Sequence, residues 1–371
     1  MNIEEFIEFL SDVPDFRDEK KIAYPLINII FITFCAALCR AESWCDVHDF
    51  GEAKKEWLSK YIDLSSGIPS EWTFRRVFIL LAPEHLEQLM ITLASWLVNG
   101  KKEDQIAIDG KTLRGSVNKD HRGVHSVSAW SVDNEIVLAE LATSEKSNEI
   151  TAIPALLKLL KLAGCTISID AMGCQKDIVK EIIQKKGHYV VGLKENQPKL
   201  YKKIEEIMQG KAINATHCLQ DFFEDGHGRT TRRRYFAYDI SSIDETKKWL
   251  GLKTAVALET ITTRTEKPTQ AEWRYYITSH KPNNKQLPDY IRHHWGIENK
   301  LHWVLDVNLG KDADKKIERN SAKAFAVLKR IALNIVRTKD NSDKLSGKKR
   351  SLRGKLKRAG WDNNYLLSLL T

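Results

Sequence analysis

Cysteine pairs, long apolar runs and internal repeats are what this chain lacks, and each absence closes off a class of protein. Six cysteines (Cys35, Cys39, Cys45, Cys165, Cys174 and Cys218) are scattered over 371 residues without a repeated CxxC spacing. That pattern argues against a disulfide framework and against a zinc ribbon, and it suits a reducing, cytoplasmic setting. The longest apolar stretch, Leu26–Leu38, is shorter than the roughly 18 residues a membrane span requires, contains Asn28 and Thr33, and stops before Arg40. It is expected to be a buried helix, with no membrane partner. A positively charged leader is also missing: the stretch ahead of it carries Glu4, Glu5, Glu8, Asp12 and Asp15, so secretion is not expected.

What is present is an ordinary globular composition with a basic excess. The hydrophobic fraction is 42%, enough to bury real cores, and 58 Lys and Arg against 49 Asp and Glu leave a net charge of +9. The excess favours an anionic partner without naming it. Much of it sits in the segment from Lys344 to Arg358, where Lys348, Lys349, Arg350, Arg353, Lys355, Lys357 and Arg358 lie with no acidic residue after Lys348.

Residues 1–95 read as helical: Asn2–Leu10, Pro25–Leu38 and Asp46–Leu58, then a helix capped by Ser70, then one from Pro83 with Leu86, Leu89, Met90, Leu93 and Trp96 at helical spacing. The Ser70 helix opens with Arg75 and Arg76 near its start, as a DNA-reading helix would, or simply as a solvated face. From residue 104 the pattern turns to short β-branched runs. Ile106–Ile108, Val124–Ser131 and Ile136–Ala142 are expected strands, with Asp133 and Asn134 turning the last two. A helix, the strand Thr166–Ile169, the helix Gln175–Lys186 and the strand Tyr189–Leu193 follow. The order β-β-β-α-β-α-β predicts an α/β, ribonuclease-H-like mixed sheet spanning 96–340, behind an all-α N-terminal domain and ahead of a basic tail at 341–371. Residues 200–285, polar and β-rich, are expected to be an insertion. A helix is then expected after Asp289, with Ile291, Trp295 and Val304 packed on the sheet.

Two apolar strands each end in an aspartate beside glycine: Asp109 in IAIDGKTLRGS and Asp170 in CTISIDAMG. An aspartate at a strand end is often only a turn cap. Two on neighbouring strands would instead converge, and convergent like charges make sense around a hard cation. In DYIRHHWGIENKLHWVLDV, His294, Glu298, His302 and Asp306 recur every four residues, a polar stripe beside aromatics where a solvated helix would carry Lys and Glu. A zinc site through His293, His294 or His302 is the competing arrangement. It ranks lower because HExxH is absent and carboxylates suit Mg²⁺ or Mn²⁺.

These blocks, with EKSNEITAIPALL, GHYVVGLKENQ and SAKAFAVLKRIALNIVR, resemble the H-repeat-associated (ISAs1-type) DDE transposases over nearly the whole chain. The resemblance implies a transposase that cleaves DNA strands and transfers them at transposon ends, with Asp109, Asp170 and Glu298 as catalytic, metal-binding triad and about two Mg²⁺ (or Mn²⁺) ions. It implies double-stranded DNA as partner, a homo-oligomer when assembled on it, and a nucleoid-associated place of work. A structure-directed nuclease of the same fold and a catalytically silent DNA-binding descendant are the alternatives. Tyr290, Arg292 and Lys300 lie near Glu298 but not at the spacing of the wider transposase pattern. Expected DNA contacts are Arg75, Arg76, Lys111, Arg114, Lys194, Asn196, Gln197, His227, Arg229, Arg232, Arg292, Lys300, Lys349, Arg350 and Arg353. Cys174 reads as a packing residue, since no base stands near to activate it.

Overall fold

The computed structural model describes residues 2–112, 125–143, 149–211, 214–226, 229–264, 267–310, 318–339 and 350–371. The expected residues Arg114, His227 and Lys349 lie outside the described residues.

The chain opens with helices α1 (Ile3–Ser11), α2 (Leu26–Leu38), α3 (Trp44–Ala53), α4 (Lys55–Leu58), α5 (Glu71–Leu80) and α6 (Pro83–Leu97). Sequence-coded caps start several of them: Asn2 and Glu5 form a capping box on α1, Ser43 and Asp46 on α3, and Ser70 accepts from Thr73 N–H at the start of α5. The apolar α2 is buried on nearly all sides, as a helix without a polar face must be. Among the described residues no single helix is long and apolar enough to cross a membrane.

Strands β1 (Gln105–Thr112), β2 (His125–Ser131) and β3 (Ile136–Thr143) form the expected meander. Helix α7 (Glu149–Lys158), β4 (Thr166–Ile169), α8 (Lys176–Gln184) and β5 (His188–Leu193) follow. β1 pairs antiparallel with β2 and parallel with β4, and β4 pairs parallel with β5. This is the ribonuclease-H-like half of the sheet, read in the order β3-β2-β1-β4-β5. The turn between β2 and β3 is fixed by chemistry: Asp133 Oδ2 accepts from the N–H groups of Asp104 and Gln105, at 2.8 and 3.1 Å, so the turn also anchors the start of β1.

After helix α9 (Pro198–Lys211) come β6 (Cys218–Gly226), β7 (Arg229–Asp239), β8 (Thr254–Arg264) and β9 (Lys267–Thr278). The expected β-rich insertion continues the sheet. β9 pairs antiparallel with β5, and one sheet of nine strands runs β3-β2-β1-β4-β5-β9-β8-β7-β6. The pairing Val190↔Thr278 to Leu193↔Tyr275 is long-range and leaves no mark in local periodicity.

The remaining helices are α10 (Leu287–His294), a π-helical segment Ile297–His302, α11 (Trp303–Leu309), α12 (Arg319–Thr338), α13 (Leu352–Trp361) and α14 (Asn363–Leu370). α10 begins at Leu287, two residues before Asp289, with Pro288 in its first turn; Asp289 sits inside that turn and does not cap it. The chain's last described segment packs on the core as two helices. Leu356, Ala359, Leu366, Leu369 and Leu370 are buried in the same core as α2, α5, α6 and α12. That core also takes in Ala107, Trp130 and Val137 from one face of the sheet, while α7, α8 and α9 cover the opposite face. α12 thus lies between the N-terminal helices and the sheet. Its Asn334 side chain exchanges two 2.8 Å hydrogen bonds with the backbone of Val137 on the outermost strand β3, satisfying an edge that would otherwise be open.

Candidate functional site

Because Ile108 pairs with Ile169 across the parallel β1–β4 ladder, Asp109 and Asp170, one residue further on each chain, stand side by side where the ladder ends. β1 continues alongside β2, with Asp109 opposite Ser128, whereas β4 stops. Asp170 opens a short 3₁₀ turn, its Oδ1 accepting from Met172 N–H at 3.0 Å and Gly173 N–H at 3.4 Å. The cap and the converging carboxylate are therefore the same side chain.

The third carboxylate reaches this place through a matched ladder. Gln105, Ala107, Asp109 and Lys111 share one face of β1, advancing about 6.7 Å per two residues. His294, Glu298, His302 and Asp306 lie four apart on the facing helical segment, advancing about 6 Å per step. Gln105 Nε2 donates to Ser168 Oγ at 2.9 Å, and the same hydroxyl stands 3.1 Å from His294 Nδ1. His302 Nε2 lies 3.2 Å from Asp109 Oδ2, and Lys111 forms an ion pair with Asp306. On a regular α-helix a four-residue stripe drifts by about 40° each step. The π segment, marked by the Trp303 N–H bond to Glu298 C=O, turns less per residue and offsets that drift, so the stripe stays on the sheet. The expected packing is corrected at one residue: Ile297, Leu301 and Leu305 take the inner positions, and Trp295 is turned outward, 42% exposed, beneath the guanidinium of Arg274.

The electrostatics distinguish the three acids. Burial presses the Asp109 carboxyl upward, but the His302 hydrogen bond and charge, the His294 charge and the Gly110 N–H outweigh it, leaving Asp109 below the usual carboxylate range. Asp170 is raised by burial and by the charge of Asp109, against the two turn N–H groups. Glu298 is raised by burial and by the charges of both aspartates. His294 is lowered by burial, against the pull of the same two aspartates. Three carboxylates, two of them raised in part by the charge of their neighbours, form a donor set suited to a hard divalent cation, whose charge would relieve the repulsion. Among the described residues no three His, Cys, Asp or Glu side chains are gathered into a ready-made cage. The fit therefore rests on oxygen-donor chemistry and on mutual repulsion, which itself holds like charges apart. The histidines do not assemble a zinc set: His294 faces Ser168 and His302 faces Asp109.

Around this centre the other expected residues divide. Lys111 is engaged by Asp306 and by the His302 carbonyl. Asn196 and Gln197 point back into the protein: Asn196 Nδ2 donates to Ala171 C=O at 2.6 Å and Gln197 Nε2 to Cys174 C=O at 2.9 Å, so both brace the turn that Asp170 opens. Lys194 beside them is exposed. Arg292 pairs with Glu224 and lies over Phe222, Arg232 pairs with Asp221 over Phe223, and Lys300 meets Glu135 at 2.5 Å. Arg75 pairs with Glu318, just ahead of α12, and lies over Trp72, whereas Arg76, Arg229, Arg350 and Arg353 are exposed. Cys174 is buried and its thiol is pushed up to about 12, which suits packing and not nucleophilic attack.

Sequence reasoning missed Gln105, Ser168 and Gly192. The first two look like ordinary strand polars until the ladder brings them under His294. Gly192 faces the Asp170 turn so closely that an added Cβ would stand 3.0 Å from Ala171 N. Asn196→Ala and Gly192→Ala are therefore expected to loosen or displace Asp170. If the site holds metal and cuts DNA as the resemblance implies, each should lower strand cleavage at saturating DNA by about ten- to a hundredfold, the usual effect of losing a group that orients a metal ligand. DNA affinity should stay unchanged, and a wild-type cleavage rate in both would show that the turn needs no bracing.

Residues 100–335 match the family model described as "Transposase DDE domain", and residues 7–94 match the model described as "DDE_Tnp_1-associated". The chain belongs to the DDE transposase family. Within it, the chain is 38% identical over 379 residues to the "H repeat-associated putative transposase YhhI" of Escherichia coli (strain K12), covering 100% of this chain and 98% of that protein. A shorter relative from the same strain, the "Inactive transposase YbfQ", is 38% identical over 77 residues, covering 21% of this chain and 92% of that protein. Among solved structures, a piggyBac transposase synaptic complex with hairpin DNA aligns with a TM-score of 0.44 and 11% identity, covering 99% of this chain and 78% of that one.

Proposed function

We propose that this transposase cleaves DNA strands at the ends of its element and joins the freed 3′ ends to a target, with Asp109, Asp170 and Glu298 holding the Mg²⁺ or Mn²⁺ ions. The observation that carries this reading is the approach of three carboxylates from two adjacent strand ends and a π-helical turn, with Asp170 and Glu298 both raised by burial and then by the charge of Asp109. Divalent ions bound there, two on this reading, would supply Lewis acidity for in-line displacement at phosphorus, by water in cleavage and by a 3′-hydroxyl in joining. The protein's part is placement. His302 keeps Asp109 ionised, the Asp170 turn and its two braces fix a second carboxylate, and the ladder on β1 sets Glu298 above both. No side-chain nucleophile is required. Incubating a donor carrying the element's own ends with Mg²⁺ tests the reading: joined products support a transposase, while nicked products that are never joined would favour a nuclease on the same fold.

The exposed basic residues supply the DNA footprint on this reading. On α13, Arg353 and Lys357 point outward, with Arg350 just ahead, while Leu356 and Ala359 on the opposite side are buried. Deleting the segment would remove core residues, so the clean test is substitution. Changing Arg350, Arg353 and Lys357 together to Gln should make the plot of log K against log[salt] shallower by up to about 3, near 0.9 for each phosphate no longer neutralised. Sequence preference should be kept. An unchanged slope would remove α13 from the binding surface.

A further inference from the structure

We propose that Lys111 and Asp306 form a latch that sets the register of the Glu298 helix on β1, so that Lys111 is a positioning residue and not a contact to the phosphate being cut. The pair closes the last rung of the ladder, one step beyond His302 and Asp109. Both side chains are largely shielded, at 14% and 22% exposure. Lys111 Nζ also donates to the His302 carbonyl at 3.3 Å, so the ammonium is spent on the carboxylate and on the backbone of the residue that holds Asp109. A lysine tied in this way has little left to offer a phosphate.

Without the latch, α11 can slip or tilt along β1, and the slip is transmitted over two helical steps to Glu298. With it, the contacts at His294, His302 and Asp306 hold the helical segment at both ends and in the middle, with Glu298 between the first two. Ala107, between Gln105 and Asp109 on that face of β1, is a fully buried small residue that offers no tether. Glu298 therefore depends on its neighbours for its place.

The inference rests on the reading of this site as a DNA-cutting centre, and the test separates the two. Lys111→Met, Asp306→Asn, the neutral pair Lys111→Gln/Asp306→Asn and the reversed pair Lys111→Asp/Asp306→Lys are compared with the wild-type chain. Each is titrated with salt on a labelled duplex and assayed for cleavage at saturating DNA. Under the latch, both single variants lose about ten- to a hundredfold in cleavage rate with unchanged salt slope. The reversed pair recovers most of that rate, because an ion pair is restored with its charges exchanged. Under a phosphate contact, Lys111→Met makes the slope shallower by about 1, Asp306→Asn does not share the defect, and the reversed pair is at least as poor as Lys111→Met. That pattern overturns the proposal. The neutral pair leaves no uncompensated charge and keeps the fold if a single variant does not; its slope then decides alone, unchanged for the latch and shallower for the phosphate contact. Failure of the wild-type chain to bind the duplex would overturn the DNA-cutting reading, and the latch with it.

Discussion

Asp109→Ala, Asp170→Ala and Glu298→Gln are each expected to reduce DNA strand cleavage by on the order of 10³-fold or more, with the fold and DNA affinity retained. The size follows from what each oxygen is asked to do. A side chain that orients a ligand costs one or two orders of magnitude when removed, whereas loss of a ligand removes charge stabilisation at the reacting phosphate itself. Retention of the fold follows from position. Asp170 and Glu298 face solvent, and Asp109 lies at the point where β1 leaves the cover of β4, so none of the three packs the core. Relief of mutual repulsion works in the same direction: removing Asp109 takes away a charge that raises both of the others. A near-wild-type cleavage rate in any one variant would take that residue out of the site.

A second large effect lies away from the site, where α6 meets the sheet. Glu87 is buried at 8% exposure, and its carboxyl is pushed up to about 7 by burial and by the charges of Glu140 and Glu84, against Lys323 and Arg330. Its ordinary value is 4.5. Between those two values the folded chain holds a proton that the unfolded chain gives up, so this contribution to stability is full below about 4.5 and lost as pH rises through about 7. The difference corresponds to about 3 kcal/mol. Glu87→Gln keeps the shape and removes the titration, so it should flatten the pH dependence of denaturant midpoints and raise stability above neutral pH. An unchanged profile in the variant would show that Glu87 is ionised at no such cost. The neighbouring Arg330, fully buried and paired with Glu140, is a different case: removing it alone strands a buried carboxylate, which typically costs several kcal/mol.

Much of the ribonuclease-H-like half was legible in the sequence because its signals are local. Apolar runs ending in Asp-Gly and Asp-Ala-Met-Gly mark two strand ends, the Asp133-Asn134 turn joins β2 to β3, and a four-residue polar stripe marks the helix that faces them. What was hidden is non-local or depends on exceptional geometry. The pairing of β9 with β5, which joins the expected insertion to the sheet, is long-range. Trp295, which the helical pattern puts in the core, stands outside it where α10 ends, ahead of a π turn that local periodicity does not mark. Asn196 and Gln197, placed at the sheet edge as DNA contacts, spend their amides on the Asp170 turn. Arg330 and Asn334 look like the polar face of an amphipathic α12, yet both are buried because Glu140 and the edge of β3 receive them.

Anomalous diffraction from crystals of the wild-type chain soaked with Mn²⁺ tests the central claim most directly, because it locates the cation without reference to activity. The account predicts the strongest anomalous density among the carboxylates of Asp109, Asp170 and Glu298, lost in Asp109→Ala. Density on His293, His294 or His302 with the three carboxylates empty would contradict it.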